Sequence, residues 1–311
     1  MNLDQSDWTI LKSLLAWEGN YPRGPMRVSL TELARRTGLH KNTVRLRLLA
    51  LRRGGVFEGA FFEPTPEALG LVRGGYFFRE VDVPSGRALE SALAGSPSVS
   101  SAVSGYRAVM IHLWEDSLDR LSRAADEIAA KLRCAAPSRE YLSTDFPVGD
   151  GPDTSLSPLD RRLIVALVER PPMGLAAIGR SLRVTERTAE RRARRLIESR
   201  KGYMFPRFRP AKIDGSILVG YGVLKGDDRA RRSLQEAFPD RILGPMGPGM
   251  RPVVAAPMPN LQEAERRREA ARGRPGIEVL ETFLYQDVIY PRAFDVWIAD
   301  RVGTAQGPAP K

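Results

Sequence analysis

Apolar residues fall at i, i+4 and i+7 in "KNTVRLRLLALRR" (41–53), where Val44, Leu48 and Leu51 make one stripe and most polar positions between and after them are arginine. This 3.6-residue period predicts an amphipathic helix. Gly54 and Gly55 end it, and "VFEGAFFEP" (56–64) changes to the alternation and central glycine of a short hairpin. Upstream, Ser29 reads as the N-cap of a shorter helix with Glu32 as its capping-box partner, Leu30, Leu33 and Ala34 as its stripe and Gly38 as the tight turn after it. With a first helix in "LDQSDWTILKSLL" (3–15), the order is that of a winged helix-turn-helix.

The pattern then repeats. Leu3, Asp7, Ile10 and Leu14 are echoed by Leu156, Asp160, Leu163 and Leu167, while Leu30, Leu33, Leu39, Thr43, Arg47 and Leu51 are echoed by Leu175, Ile178, Val184, Thr188, Arg192 and Leu196. The chain is two tandem copies. After each wing comes a strand, a helix, a hairpin, a helix and a last strand, in "LVRGGYFFREVDV", "GRALESALAGS", "VSSAVSGYRAVMIHLWED", "SLDRLSRAADEIAAKL" and "SREYLSTDF" for the first copy. In the second these are "SILVGYGVLKG", "ARRSLQEAF", "RILGPMGPGMRPVVAAP", "LQEAERRREAAR" and "IEVLETFLYQDVIY". The order βαββαβ predicts a ferredoxin-like unit. The fold class is therefore α+β, two winged helix-turn-helix domains (1–66 and 149–210) alternating with two ferredoxin-like domains (67–148 and 211–302), before a flexible tail (303–311). Both faces of the last strand are apolar, with Val279, Phe283 and Tyr285 against Leu280, Leu284 and Val288, so one should cover its own helices and the other a second sheet.

Composition narrows the partner. The 311 residues carry a formal net charge of +11, with 42% hydrophobic and 27% charged residues, which describes a globular chain drawn to polyanions, although arginine richness also follows base composition. No run reaches the ~18 apolar residues of a membrane helix, and "MNLDQSDWTIL" is acidic where a signal peptide is basic, so no membrane association or secretion is expected. One cysteine and two histidines preclude an internal disulfide and the usual four-ligand zinc site, which fits the cytoplasm. No metal and no cofactor is expected.

With Val44, Leu48 and Leu51 turned inward, Lys41, Asn42, Arg45 and Arg52 project outward and Arg47 lies nearer the boundary. Arg and Lys suit phosphate or guanine and Asn suits adenine, so double-stranded DNA is the expected partner, received in the major groove. His40, at the turn, and Thr43 complete the first set of candidate contacts, and Arg187, Arg191 and Arg194 form the second. The second helix buries the smaller Ala189 and Ala193 and mixes in Glu186, Glu190 and Glu198; a Glu190–Arg194 pair at i, i+4 would neutralise part of it. The first module is the expected principal reader, with protein docking as the other use of a helix-turn-helix.

On "LDQSDWTIL", the spaced residues Thr43, Val44, Arg47, Leu48, Leu51, Gly55, Val56 and Phe57, and "FEPTPEALGL", the chain resembles the Lrp/AsnC family of transcription regulators, duplicated in tandem over nearly its whole length. The resemblance implies sheet-to-sheet pairing of the small domains, here between the two repeats of one chain, with a homodimer also open, and a small-molecule effector, often an amino acid. Family effector sites follow Gly-x-x-Asp; here "GYRA" (105–108) puts Ala108 at the carboxylate position, and the run Gly244 to Gly249 has none either, so both read as hairpin connections. The same plan also resembles the siroheme decarboxylases, whose His-Asn-Tyr-x-Arg motif survives only as Tyr106 and Arg107. No enzyme is expected: His112 in "MIHLW" reads as a packed strand histidine, Cys134 as a structural thiol, and no acid pair or nucleophile triad stands out.

Overall fold

The computed structural model describes residues 1–15, 29–81, 86–134, 139–143, 156–169, 175–242 and 252–304. Asp4 caps α1 (Gln5–Leu15), its Oδ1 accepting from the backbone N–H groups of Ser6 and Asp7 at 2.9 and 3.0 Å. Ser29 caps α2 (Leu30–Thr37) by accepting from the Glu32 N–H at 3.2 Å, and Gly38, at φ 68°, closes that helix in the left-handed region. The Glu32 carboxylate does not complete a capping box; it is bound by Arg35 and Arg36 one turn on. α3 (Lys41–Arg53) follows, with Val44, Leu48 and Leu51 buried. α6 (Pro158–Glu169), α7 (Leu175–Leu182) and α8 (Glu186–Glu198) repeat the arrangement.

The segments after α3 and α8 do not fold as local wings. β1 (Phe57–Pro64) is one continuous strand, and it pairs antiparallel with β6 (Gly202–Phe208) from the other copy, Phe61 opposite Phe205 and Pro64 opposite Gly202. Gly59, read as a hairpin turn, sits at φ 143° beside a register shift between Phe57 and Gly59. Each strand found its partner in the repeat rather than in its own neighbour.

In the first small unit, β2 (Val72–Arg79), α4 (Arg87–Leu93), β3 (Val99–Gly105), β4 (Ala108–Glu115), α5 (Leu118–Lys131) and β5 (Arg139–Ser143) follow the βαββαβ order. The sheet order is β3-β4-β2-β5, with the short β10 (Asp287–Ile289) added beside β3. In the second, β7 (Ile217–Gly226), α9 (Arg229–Ala237), β8 (Val253–Met258), α10 (Leu261–Arg272) and β9 (Ile277–Tyr285) give the order β8-β7-β9. The connection through Gly244–Gly249 lies outside the described residues, as does the tail beyond Thr304.

Two sheet faces then meet. Tyr76 and Phe78 pack under α4 and α5, whereas Phe77 turns the other way and meets the Phe283 ring of β9 edge-on at 5.2 Å. Gly105 marks a close approach: a Cβ there would lie 2.5 Å from the Leu284 carbonyl oxygen. Val279, expected to be covered, is exposed.

The chain's last part departs from its expected unit. The strand read as 277–290 breaks at Gln286, and β10 crosses to the first sheet, where Asp287 takes the Arg209 guanidinium at 2.9 Å. α11 (Arg292–Thr304), unforeseen from the sequence, packs on α6 with Phe294, Ile298 and Val302 buried. Residues 287–304 thus join the first sheet and the second helix-turn-helix rather than the second ferredoxin-like unit, because the apolar face of α11 is matched there by Trp114, whose ring lies 5.0 Å from Phe294.

The inter-copy ribbon tolerates no side chain at Gly202, where a Cβ would lie 2.2 Å from the Phe62 ring and 3.0 Å from the Glu63 carbonyl. Gly202→Ala should therefore cost roughly 1–3 kcal/mol through overpacking, read as a lower urea midpoint. Gly273→Ala, with open space around it and φ −79°, is the control and should stay within about 0.5 kcal/mol; equal effects from the two would remove the ribbon from the account.

Candidate nucleic-acid interface and a polar cavity

The register of α3 sorts its basic residues into two groups. Lys41, Asn42, Arg45 and Arg52 are exposed along one side, joined by Arg53. Lys41, Arg45, Arg52 and Arg53 form no ion pair among the described residues, Arg52 lying instead over the Phe57 ring at 5.6 Å. Thr43 is half-buried and His40 caps the helix, its Nδ1 accepting from the Asn42 N–H at 3.3 Å. His40 thus shapes the entry to the helix. Leu46 and Leu49, 57% and 38% exposed, lie among the cations.

Arg47 has another task. Its guanidinium binds Asp4 at 2.7 Å and the buried Asp7 at 3.3 Å, fastening α3 to α1. Arg192 repeats this in the second copy, binding Asp160 at 2.8 Å and Ser157 at 3.2 Å. Burial pushes the Asp7 carboxyl up. At Asp160 burial acts the same way, but hydrogen bonds from Ser157 and Arg192 outweigh it and hold the carboxyl below its ordinary value. Arg47, read from the sequence as lying nearer the boundary than the outward set and counted among the candidate DNA contacts, is turned toward the first helix by these pairs. On α8, Arg187 and Arg191 are exposed, while Arg194 is bound to Glu190 at 3.1 Å.

Elsewhere, a cavity of about 120 Å³ opens between the β1–β6 ribbon and the face of the first sheet turned away from its helices. Its polar end carries Glu63 and Tyr203 from the ribbon and Arg73, Ser101 and His112 from the sheet. The Tyr203 hydroxyl donates to Glu63 Oε1 at 2.8 Å, and Ser101 Oγ lies 2.9 Å from His112 Nδ1. Burial, then the nearby Arg73 charge, lowers His112 to about 4, so its ring is neutral at pH 7. Burial pushes the Glu63 carboxyl up, against the Tyr203 hydrogen bond and the charges of Arg207 and Arg73. His112, read as a packed strand residue, instead faces this space. The signal was present: it stands on β4 one place from the inward Ile111 and Leu113, so it shares the opposite face with Met110.

A serine 2.9 Å from an imidazole has the spacing of a nucleophile and its base, but the other ring nitrogen has no hydrogen-bond partner among the described residues to orient it. Neither is there a cluster of three metal-binding side chains among those residues, nor a helix long and apolar enough to cross a membrane. The "GYRA" turn puts Tyr106 in solvent and Arg107 at φ 51°, the geometry of a tight hairpin connection.

No protein-family model matches the chain, and no curated protein matches it. Among solved structures, the siroheme decarboxylase NirDL is similar over 97% of this chain and 100% of its own, at 13% identity and a TM-score of 0.49. The leucine response regulatory protein LrpA of Mycobacterium tuberculosis is similar over 45% of this chain and 90% of its own, at 23% identity and a TM-score of 0.30. AsnC of E. coli covers 46% of this chain and 91% of its own, at 24% identity and a TM-score of 0.29. Likenesses this distant say nothing of what the chain binds.

The neutral His112 makes stability depend on pH. Its folded value, about 4, lies below the ordinary 6.5, so between those values the unfolded chain binds more protons and stability falls as pH drops. The raised Glu63 pulls the other way above its ordinary 4.5, so the comparison must isolate the imidazole. Urea unfolding of wild type beside His112→Gln should show the wild type losing up to about 3 kcal/mol relative to the variant from pH 7 to pH 4. Parallel curves would place His112 in water.

Proposed function

We propose that the chain is a DNA-binding regulator of transcription that works in the cytoplasm without catalysis of its own, and that α3 is its principal reader. The observation that carries this is the sorting of arginines: Arg35 and Arg36 are held by Glu32 and Arg47 by Asp4 and Asp7, while Lys41, Arg45, Arg52 and Arg53 on the outer side of α3 have no carboxylate among the described residues. Surface cations left unpaired beside well-paired neighbours form the electrostatic footprint of a polyanion site.

In this reading the N-terminal turn of α3 enters the major groove of double-stranded DNA, with the Asn42 amide suited to an adenine edge and Arg45 to a guanine edge or a phosphate. Leu46 and Leu49 are apolar partners for thymine methyl groups. Arg52 and Arg53, at the far end, suit the phosphate backbone. Among the described residues no local hairpin wing remains to reach the minor groove, since β1 is paired with β6 in the ribbon. Arg187 and Arg191 on α8 supply a weaker second contact, diluted by Glu190. Joined through the ribbon, the two modules gain avidity only if their spacing matches the groove repeat.

Binding of the full chain to a fragmented genomic DNA pool across a salt series, beside Asn42→Ala/Arg45→Ala, tests the proposal. Wild type should enrich defined sites with a steep salt dependence, and the double variant should lose about ten- to a hundredfold at those sites while keeping weak uniform binding. Weak, uniform binding by both proteins would overturn it.

A further inference from the structure

The space between ribbon and sheet has the build of a ligand site. One end is apolar, with Val103, Met110, Phe205 and Phe208 among its walls. Apolar cavities of ~150 Å³ take up a benzene ring, and about 120 Å³ that opens toward polar groups is of the same order. The charges at the other end are already balanced. Arg73 has a partner, and Glu63, which lies in the Arg73 field, accepts from the Tyr203 hydroxyl. Arg207, the other cation acting on Glu63, is bound to Asp295 at 2.9 Å.

That balance selects an uncharged ligand. A carboxylate would enter without a cation of its own, and an ammonium would compete for a carboxyl group that is already served. What the polar end still offers is the imidazole of His112, neutral at pH 7. Its Nδ1 is joined to Ser101 Oγ at 2.9 Å, and its Nε2 has no hydrogen-bond partner among the described residues. Where Ser101 donates to Nδ1, Nε2 carries the ring proton and is a donor; where Nδ1 donates to Ser101, Nε2 is an acceptor. A phenolic hydroxyl both gives and takes a hydrogen bond, so it serves either tautomer. We propose that this cavity binds a small uncharged phenol, ring against Met110, Phe205 and Phe208, hydroxyl on His112 Nε2. Its occupancy does not depend on whether α3 reads DNA.

The test is calorimetric titration of the full chain at pH 7 with phenol, beside benzoate as a charged ring of similar size and toluene as one without a hydroxyl. Wild type should bind phenol saturably, with Kd at or below about 1 mM for a ligand of that size, and bind benzoate at least tenfold more weakly. His112→Leu should weaken phenol about three- to tenfold, the worth of one hydrogen bond, while holding toluene at least as well as wild type does. Met110→Trp, which fills the apolar end, should abolish binding of both. If either variant does not fold, as judged by its circular dichroism melt, Ser101→Ala with the same two ligands and the benzoate comparison on wild type still decide. No saturation of wild type by about 10 mM phenol, benzoate within tenfold of phenol, or a His112→Leu variant that keeps its phenol affinity or loses phenol and toluene alike would each overturn the proposal.

Discussion

One antiparallel ribbon ties the two halves of the chain into one molecule. β1 and β6 would each be an unpaired edge if its copy stood alone, exposing a row of backbone donors and acceptors; paired with one another, from Phe57 opposite Phe208 to Pro64 opposite Gly202, they satisfy that row inside the chain. The rest of the assembly hangs from this pairing. Arg207 and Arg209, at the end of β6, reach Asp295 of α11 and Asp287 of β10, so the same ribbon fixes where the C-terminal segment crosses from one copy to the other. That crossing extends the first sheet and covers the second helix-turn-helix.

A second constraint acts inside each module. An α3 or α8 free to slide would present a different face at every register, and an arginine–aspartate pair to the first helix of the module prevents this: Arg47 to Asp7 in one copy, Arg192 to Asp160 in the other. The pairs are half-buried and hydrogen-bonded, which places them above the small worth of exposed ion pairs. Fixing the register is also what leaves Lys41, Asn42 and Arg45 pointing outward together. The repeat comparison had already aligned Asp7 with Asp160 and Arg47 with Arg192, yet through two separate alignments, so that each looked like an isolated match rather than the two ends of one bond.

What the sequence made legible followed from local periodicity. The stripe of Val44, Leu48 and Leu51, the Gly38 turn and the strand-helix order of the first small unit are encoded within a few residues of one another, and all stand in the structure. Partner choice is not encoded that way. An alternating segment such as "FEGAFFEP" announces a strand and says nothing of whether it folds back or crosses to a segment some 140 residues later. The break at Gln286 is equally silent, since "YQDVIY" continues the apolar alternation across it. α11 was readable in principle: Pro291 opens it, and Phe294, Ile298 and Val302 recur at i, i+4 and i+8. Its short stripe follows directly on the apolar alternation of "YQDVIY", which hides the change of period.

The polar cavity belongs to the non-local class as well, and it runs against what stability alone would select. A half-buried imidazole and a half-buried carboxyl carry desolvation costs that leucine or phenylalanine at the same positions would not. The surrounding layer shows that the sheet can be filled conventionally: on its other face Ile111, Leu113 and Phe78 join Leu89 and Leu93 of α4 and Leu121 and Ile128 of α5 in one apolar cluster. The two faces of one sheet thus follow different rules, one packed for stability and one carrying Glu63, Arg73, Ser101 and His112 into a shared space with the ribbon. Because one wall of that space is the strand pair that couples the two helix-turn-helix modules, whatever fills it bears on the element that sets their relative position. Strain or support applied at Tyr203 and Phe205 has a direct covalent path along β6 to Arg207 and Arg209, and through them to the segment that holds the copies together.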